Sequence, residues 1–270
     1  LRVALSIVLA LVGVRVAGPY GVVLGITPMI AVWLALRGEH NLVTEGPEAP
    51  WDELTSALGS LLAASVFAAF LVNAGTLAVT VLATDSEEHR AGVFLVGLTI
   101  ARMPLFLYQA VQAALLPHLS ALAGAGRYAE FRGRLGRLLG AVGLLGAVGT
   151  IVAFLIGAPA IRVLFGPDFD LTARDLALLA AGSASIMLAT ALSQSLIALS
   201  SQRRVAIGWF LGVAAFVFFV AVGNDLFLRV ELGILGGSLV AAVAMGVFAR
   251  QRLHEHLRAM PHTLTPLDEA

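Results

Sequence analysis

The chain has 270 residues, 59% of them hydrophobic, a mean hydropathy of +0.92, a formal net charge of zero and no cysteine. Apolarity on this scale lies far above that of a soluble domain and reads as an integral membrane protein. The lack of cysteine excludes disulfides, thiolate catalysis and Cys-based metal sites. All 17 basic residues are arginine.

Taken in chain order, continuously apolar runs of near-membrane length predict an all-α, polytopic bundle of about eight transmembrane helices. They cover 2–17, 20–36, 54–82, 91–117, 138–157, 176–199, 205–222 and 232–248. The runs do not alternate as barrel strands do, so helices are expected. The chain opens at Leu1 inside a hydrophobic segment, and a fragment of a longer protein is expected. Residues 38–53 carry Pro47, Pro50 and several carboxylates, which predicts a solvated linker between a leading helix pair, 1–37, and a six-helix block, 54–250. Residues 251–270 form a polar tail. With the N-terminus inside, eleven arginines fall on the cytoplasmic side and five on the outer side. Positive charge orients membrane proteins in this way, so both termini are expected to be cytoplasmic, in a multi-pass protein of the cytoplasmic membrane. Residues 127–137, RYAEFRGRLGR, suit either an amphipathic turn on anionic headgroups of the surrounding membrane lipids or a plain topology signal.

Arg102 stands near the middle of the 91–117 run and is its only charge. A mid-span arginine costs several kcal/mol unless it faces protein or water, so something polar must meet it. Gln109, seven residues later, returns to nearly the same helical face, and Gln112 flanks that stripe. Pro104 removes a backbone donor and frees the carbonyl of Ile100, which predicts a kink or hinge beside Arg102. In the 176–199 run, Ser183, Thr190 and Gln194 lie within about 20° of one another on the helical wheel. This stripe suits either a cavity wall or hydrogen bonds to neighbouring helices. The carboxylates nearest the membrane, Asp85, Asp175, Asp225 and Glu231, stand at helix ends. Gly136, Gly140, Gly143, Gly146 and Gly149 predict a helix that packs closely against its neighbours.

Three stretches carry a resemblance: Arg102-Met-Pro-Leu-Phe followed by Ala110-Val-Gln-Ala-Ala-Leu-Leu-Pro-His-Leu-Ser120 and Gly126-Arg-Tyr-Ala-Glu-Phe131; Val163-Leu-Phe-Gly-Pro-Asp-Phe169; and Gln194-Ser-Leu-Ile-Ala-Leu199. Together they resemble the second lobe of polysaccharide and lipid-linked oligosaccharide flippases of the multidrug/oligosaccharidyl-lipid/polysaccharide exporter superfamily, over roughly residues 54–251. The resemblance implies two six-helix lobes around a cavity that opens alternately to each membrane face, with most of the N-terminal lobe missing from this chain. It also implies a lipid-linked sugar diphosphate as substrate, whose pyrophosphate Arg102 would bind through bidentate hydrogen bonds. Gln109, Gln112, Gln194, Ser183 and Thr190 would be further substrate-binding residues and Pro104 the hinge.

A cation-coupled small-molecule exporter of the same superfamily would share the fold, although Arg102 favours an anionic head group. A membrane glycosyltransferase, polymerase or ligase needs an aqueous loop carrying a nucleophile–base pair, and the short outer loops offer none. No phosphate-cradling glycine loop is present for ATP. No catalytic residue, metal site, cofactor or nucleic-acid partner is expected.

Overall fold

The computed structural model describes residues 51–259. The predicted helix pair at 1–37 lies outside them, as do most of the linker and the end of the tail. Among the described residues the regular structure is entirely helical. In chain order it comprises α1 (Trp51–Leu82), α2 (Glu88–Ala101), α3 (Met103–Gly124), α4 (Tyr128–Val152), α5 (Ala158–Phe165), α6 (Ala173–Ala198), α7 (Gln202–Val222) and α8 (Leu226–Ala259). A π-helical turn, Ala153–Gly157, joins α4 to α5. Five continuous runs are long and apolar enough to cross a membrane: Thr55–Leu82, Tyr128–Phe165, Ala173–Ala198, Gln202–Val222 and Leu226–Arg258. The protein is a polytopic bundle of membrane helices.

Several boundaries differ from the sequence expectation. α1 begins at Trp51, inside the predicted linker, and α8 runs to Ala259, well into the predicted tail. Both extensions are polar helical turns that an apolar-run criterion cannot register. The run at 91–117 is the largest departure, because the chain breaks it into α2 and α3 at Arg102. Downstream, the π turn precedes Pro159, whose ring would clash with the carbonyl four residues back in a regular helix. The extra residue in the turn absorbs that clash and keeps α4 and α5 in one span. Gly166 then ends α5 with φ of 104°, a conformation open chiefly to glycine, so the Gly-Pro of the Val163–Phe169 motif is a helix stop.

α6 is the most enclosed span, buried by Leu179, Ile186, Met187, Ala189 and Leu196 against α2, α3, α4 and α8. α4, the π turn and α5 instead present Leu144, Leu145, Ile151, Phe154, Leu155 and Val163 outward. An apolar surface of this extent is stable against lipid and not against water. Close helix contact comes from glycines on α6, α7 and α8. A Cβ on Gly237 would lie 2.7 Å from the carbonyl oxygen of Gly212, and one on Gly182 2.8 Å from Ile234 Cγ2. Among the α4 glycines expected to pack closely, only Gly146 does so, since a Cβ there would lie 2.5 Å from Ala184 Cβ, while Gly136, Gly140, Gly143 and Gly149 face open space.

The two ends of the bundle differ in charge. α4's first turns, α7's start and α8's last turns bring Arg132, Arg134, Arg204, Arg250 and Arg252 to one end, where Arg204 pairs with Glu255 at 3.2 Å and Arg252 Nε donates to Ser201 Oγ at 2.8 Å. Phe131 and Leu135 are buried there while Arg132 and Arg134 stay exposed, so the basic segment is an amphipathic helical start. The opposite end holds Asp168, Asp170, Asp175, Asp225 and Glu231. It also holds the turn before α2, where Glu87 accepts from Thr84 N at 3.1 Å and from Thr84 Oγ1 at 2.8 Å.

These Thr84 bonds favour the charged carboxyl and hold Glu87 below the usual carboxylate range. The turn is therefore fully supported above the ordinary carboxylate pKa and loses that support as pH falls through the lowered value. The protection factor of the Thr84 amide, the unstructured exchange rate divided by the observed rate at the same pH, is expected to be flat above the ordinary range and to fall in acid. Glu87→Gln is expected to abolish that step, and an unchanged profile in the variant would remove the assignment.

Candidate functional site

Pro104 sets the geometry around Arg102. Its missing N–H and its effect on the preceding residue disfavour continuous helix, and Arg102 adopts φ of −90° and ψ of −7° between the two helices. Its N–H donates to the carbonyls of Leu98 and Thr99 at 3.2 Å each, and Phe106 N donates to the Arg102 carbonyl at 3.2 Å. The kink predicted at Pro104 is a one-residue interruption at Arg102, whose backbone stays right-handed and whose N–H and C=O keep four-residue hydrogen bonds to Leu98 and Phe106.

The Arg102 guanidinium is directed at α1, where Nη2 donates to the carbonyl of Val72. The side chain is half-buried, and among the described residues this is its one hydrogen bond. Four of its five N–H donors are left for other partners. On the other side of the break lies an apolar groove of about 360 Å³ between α2, α3, α4, α5 and α6, with Met103, Pro104, Gly149, Ile156 and Ser183 in its walls. Of the open α4 glycines, Gly149 lines this groove.

α6 runs parallel to the broken helix. Gly97 of α2 meets Leu171 and Leu176 near one end, and Leu119 of α3 shares a buried cluster with Leu199 at the other. Ser183 is buried beside the break. Thr190 Oγ1 donates to the carbonyl of Ile186 at 2.7 Å, within its own helix. Gln194 is half-buried, and its Oε1 is enclosed without a hydrogen-bond partner. On α3, Gln109 is exposed and Gln112 half-buried. No hydrogen bond links Arg102 to Gln109 among the described residues. By a helix rise of 1.5 Å per residue, Gln112 is about 14 Å beyond Met103 and Gln194 about 16 Å beyond Ser183, so they lie at similar depth.

Two residues missing from the predicted site are as conspicuous. Tyr108 of α3 is buried with its hydroxyl unpaired, and Glu231 of α8 is 1% exposed with both carboxylate oxygens unpaired. A lone Tyr in an apolar run gives little signal. Glu231 reads as a helix-end acid because an apolar-run criterion starts its span at Leu232, whereas α8 starts at Leu226.

Comparison with known proteins places the chain near mycobacterial sequences. It is 27% identical over 217 residues to the uncharacterized protein Rv1510 of Mycobacterium tuberculosis (strain ATCC 25618 / H37Rv), covering 80% of this chain and 48% of that protein. It is also 27% identical over 210 residues to the uncharacterized protein Mb3654 of Mycobacterium bovis, covering 76% of this chain and 44% of that protein. The chain thus spans about half the length of the curated relatives it matches. No family model matches it, and no solved structure does.

Proposed function

We propose that this chain is one lobe of a transporter of the cytoplasmic membrane that moves a lipid-linked sugar diphosphate between membrane faces by alternating access, without catalysing a covalent step. The observation that carries the reading is Arg102 at the joint between α2 and α3, a half-buried cation with free donors turned towards α1, while the flanking residues Ala101, Met103 and Pro104 wall an apolar groove on the opposite side of the same joint. A lipid diphosphate presents a doubly charged head on a long hydrocarbon. An arginine fork suits such a head, and a groove walled by small residues at lipid depth suits a chain. The substrate's glycan would meet polar groups further along, where Gln112 and Gln194 stand at similar depth. Ser183 and Thr190 share the Gln194 face of α6, and Gln109 is the exposed amide of α3. Pro104 supplies the flexible joint a rocking lobe requires. Both termini are read as cytoplasmic because the arginine-rich end follows the positive-inside rule.

The test is Arg102→Ala in the intact gene, scored by export of surface polysaccharide with the level of protein in the membrane held constant. Loss of export is expected. Undiminished export would overturn the pyrophosphate assignment.

A further inference from the structure

We propose that Glu231, near the start of α8, is a proton-binding site that exchanges with the aqueous phase through the acidic cavity between α2, α6 and α8. The cavity has a volume of about 250 Å³, and its walls include His89, Arg90, Asp168, Asp170, Asp175 and Glu231. Glu231 is 1% exposed, and neither of its carboxylate oxygens has a hydrogen-bond partner.

Every other carboxylate in the cavity wall or at its rim that has a described partner is engaged elsewhere. Asp170 pairs with Arg162. Asp175 pairs with Arg174 at 3.0 Å and closes a capping box with Thr172. Asp225 accepts from Leu228 N at 2.9 Å and lies 3.9 Å from Arg90. Arg90 also stacks over Phe227 at 4.6 Å. The arginine nearest in sequence, Arg229, is two residues away, about 200° round the helix. It borders a separate groove with Phe70 and Phe216 and donates to the Gly223 carbonyl at 3.4 Å.

The ionisable groups at the Glu231 end are therefore Glu88, His89 and Arg90 from α2, Asp85 and Glu87 from the preceding turn, Arg162 from α5, and Asp168 and Asp170 from the loop before α6. Arg174 and Asp175 come from α6, and Asp225 and Arg229 from the start of α8. α1 and α7 bring none to this end. The ring nitrogen of His89 lies 3.3 Å from the Asp168 carbonyl oxygen. Acidic groups outnumber free cations, and an unpaired buried carboxylate is too costly to leave charged. Among the described residues no group of three or more His, Asp and Glu is placed to hold a metal ion. The cation that neutralises Glu231 is then a proton, taken by one carboxylate oxygen and released to water in the cavity.

Position gives this proton a structural effect. Ile234, three residues on and on nearly the same face, fills the notches left by Gly75 of α1 and Gly182 of α6. Charging Glu231 draws water towards this seam, so its protonation biases the packing of α8 against both helices. The inference does not depend on what the lobe carries.

Infrared spectra of the full chain in lipid vesicles test it. A protonated-carboxyl band is expected that titrates away as pH rises, shifts within minutes in D2O, persists when sodium is added at constant pH and is missing in Glu231→Gln. A band shared by wild type and variant, a band that does not exchange, or its loss on sodium addition would each overturn the proposal. Should the variant fail to fold, carbodiimide labelling of the wild type, located by mass spectrometry, gives the same answer. Labelling at Glu231 is expected to fall about tenfold for each pH unit above the carboxyl's midpoint, and absent or pH-independent labelling would contradict it.

Discussion

Arg102→Ala is expected to lower export at least about tenfold at equal protein level, with Arg102→Lys in between. A hydrogen bond to a charged group is worth about 1.5–3 kcal/mol, and each 1.4 kcal/mol is a factor of ten in affinity. Losing the guanidinium contacts to a diphosphate therefore costs one order of magnitude or more. Lysine keeps the charge but not the planar fork that matches two phosphate oxygens. The structural loss is small by comparison. The Val72 carbonyl that accepts from Arg102 Nη2 lies within α1, where the helix's own N–H groups also reach it. Thermal stability of Arg102→Ala should thus stay near that of the wild type while export falls. A variant that loses stability and export together would assign Arg102 to packing.

Gly237→Val is expected to be the most disruptive single change in the bundle. A Cβ at this position lies 2.7 Å from the Gly212 carbonyl oxygen, 3.1 Å from Phe216 Cβ and 3.2 Å from Leu71 Cδ1. The nearest of these is backbone, so relief requires α7 and α8 to separate. Overpacking costs about 1–3 kcal/mol where side chains can yield, and a backbone obstacle puts this site at or above the upper figure. For a protein of this size that is a fall in melting temperature on the order of 10 °C. Gly140→Ala is the matched control, since nothing lies within 4 Å of its Cβ position. It is expected to be neutral or stabilising by about 0.5–1 kcal/mol through helix propensity. Equal melting temperatures for the two variants would contradict the packing described for α7 and α8.

Hydrophobic run length was sufficient to find the bundle, because a membrane span must satisfy its backbone internally and leaves a continuous apolar signature. It failed where composition and conformation part company. The run at 91–117 carries no charge except Arg102, yet the helix is interrupted there, two residues before Pro104. The sequence carries the proline, but not whether neighbouring helices will hold a kinked helix or a broken one. The α4 glycines show the same limit, since spacing reveals a bare face without revealing whether a helix or open space lies against it. Gly146 meets Ala184, and Gly149 borders the groove. Thr190 and Gln194 share a predicted face, but one hydroxyl is satisfied by its own helix and one amide oxygen is left unpaired. Partner geometry of that kind is a tertiary property. Glu231 was visible as a residue and hidden as a site, since its burial depends on α2 and α6 closing around the start of α8.

On the proposed function, the joint at Arg102 binds a lipid diphosphate head. The most direct test is equilibrium binding of a polyprenyl diphosphate to the purified intact protein in lipid nanodiscs, compared between wild type and Arg102→Ala. The prediction is saturable binding by the wild type, weakened at least about tenfold by the substitution and weaker for the corresponding uncharged polyprenol. Equal affinity of the two proteins for the diphosphate would contradict the claim.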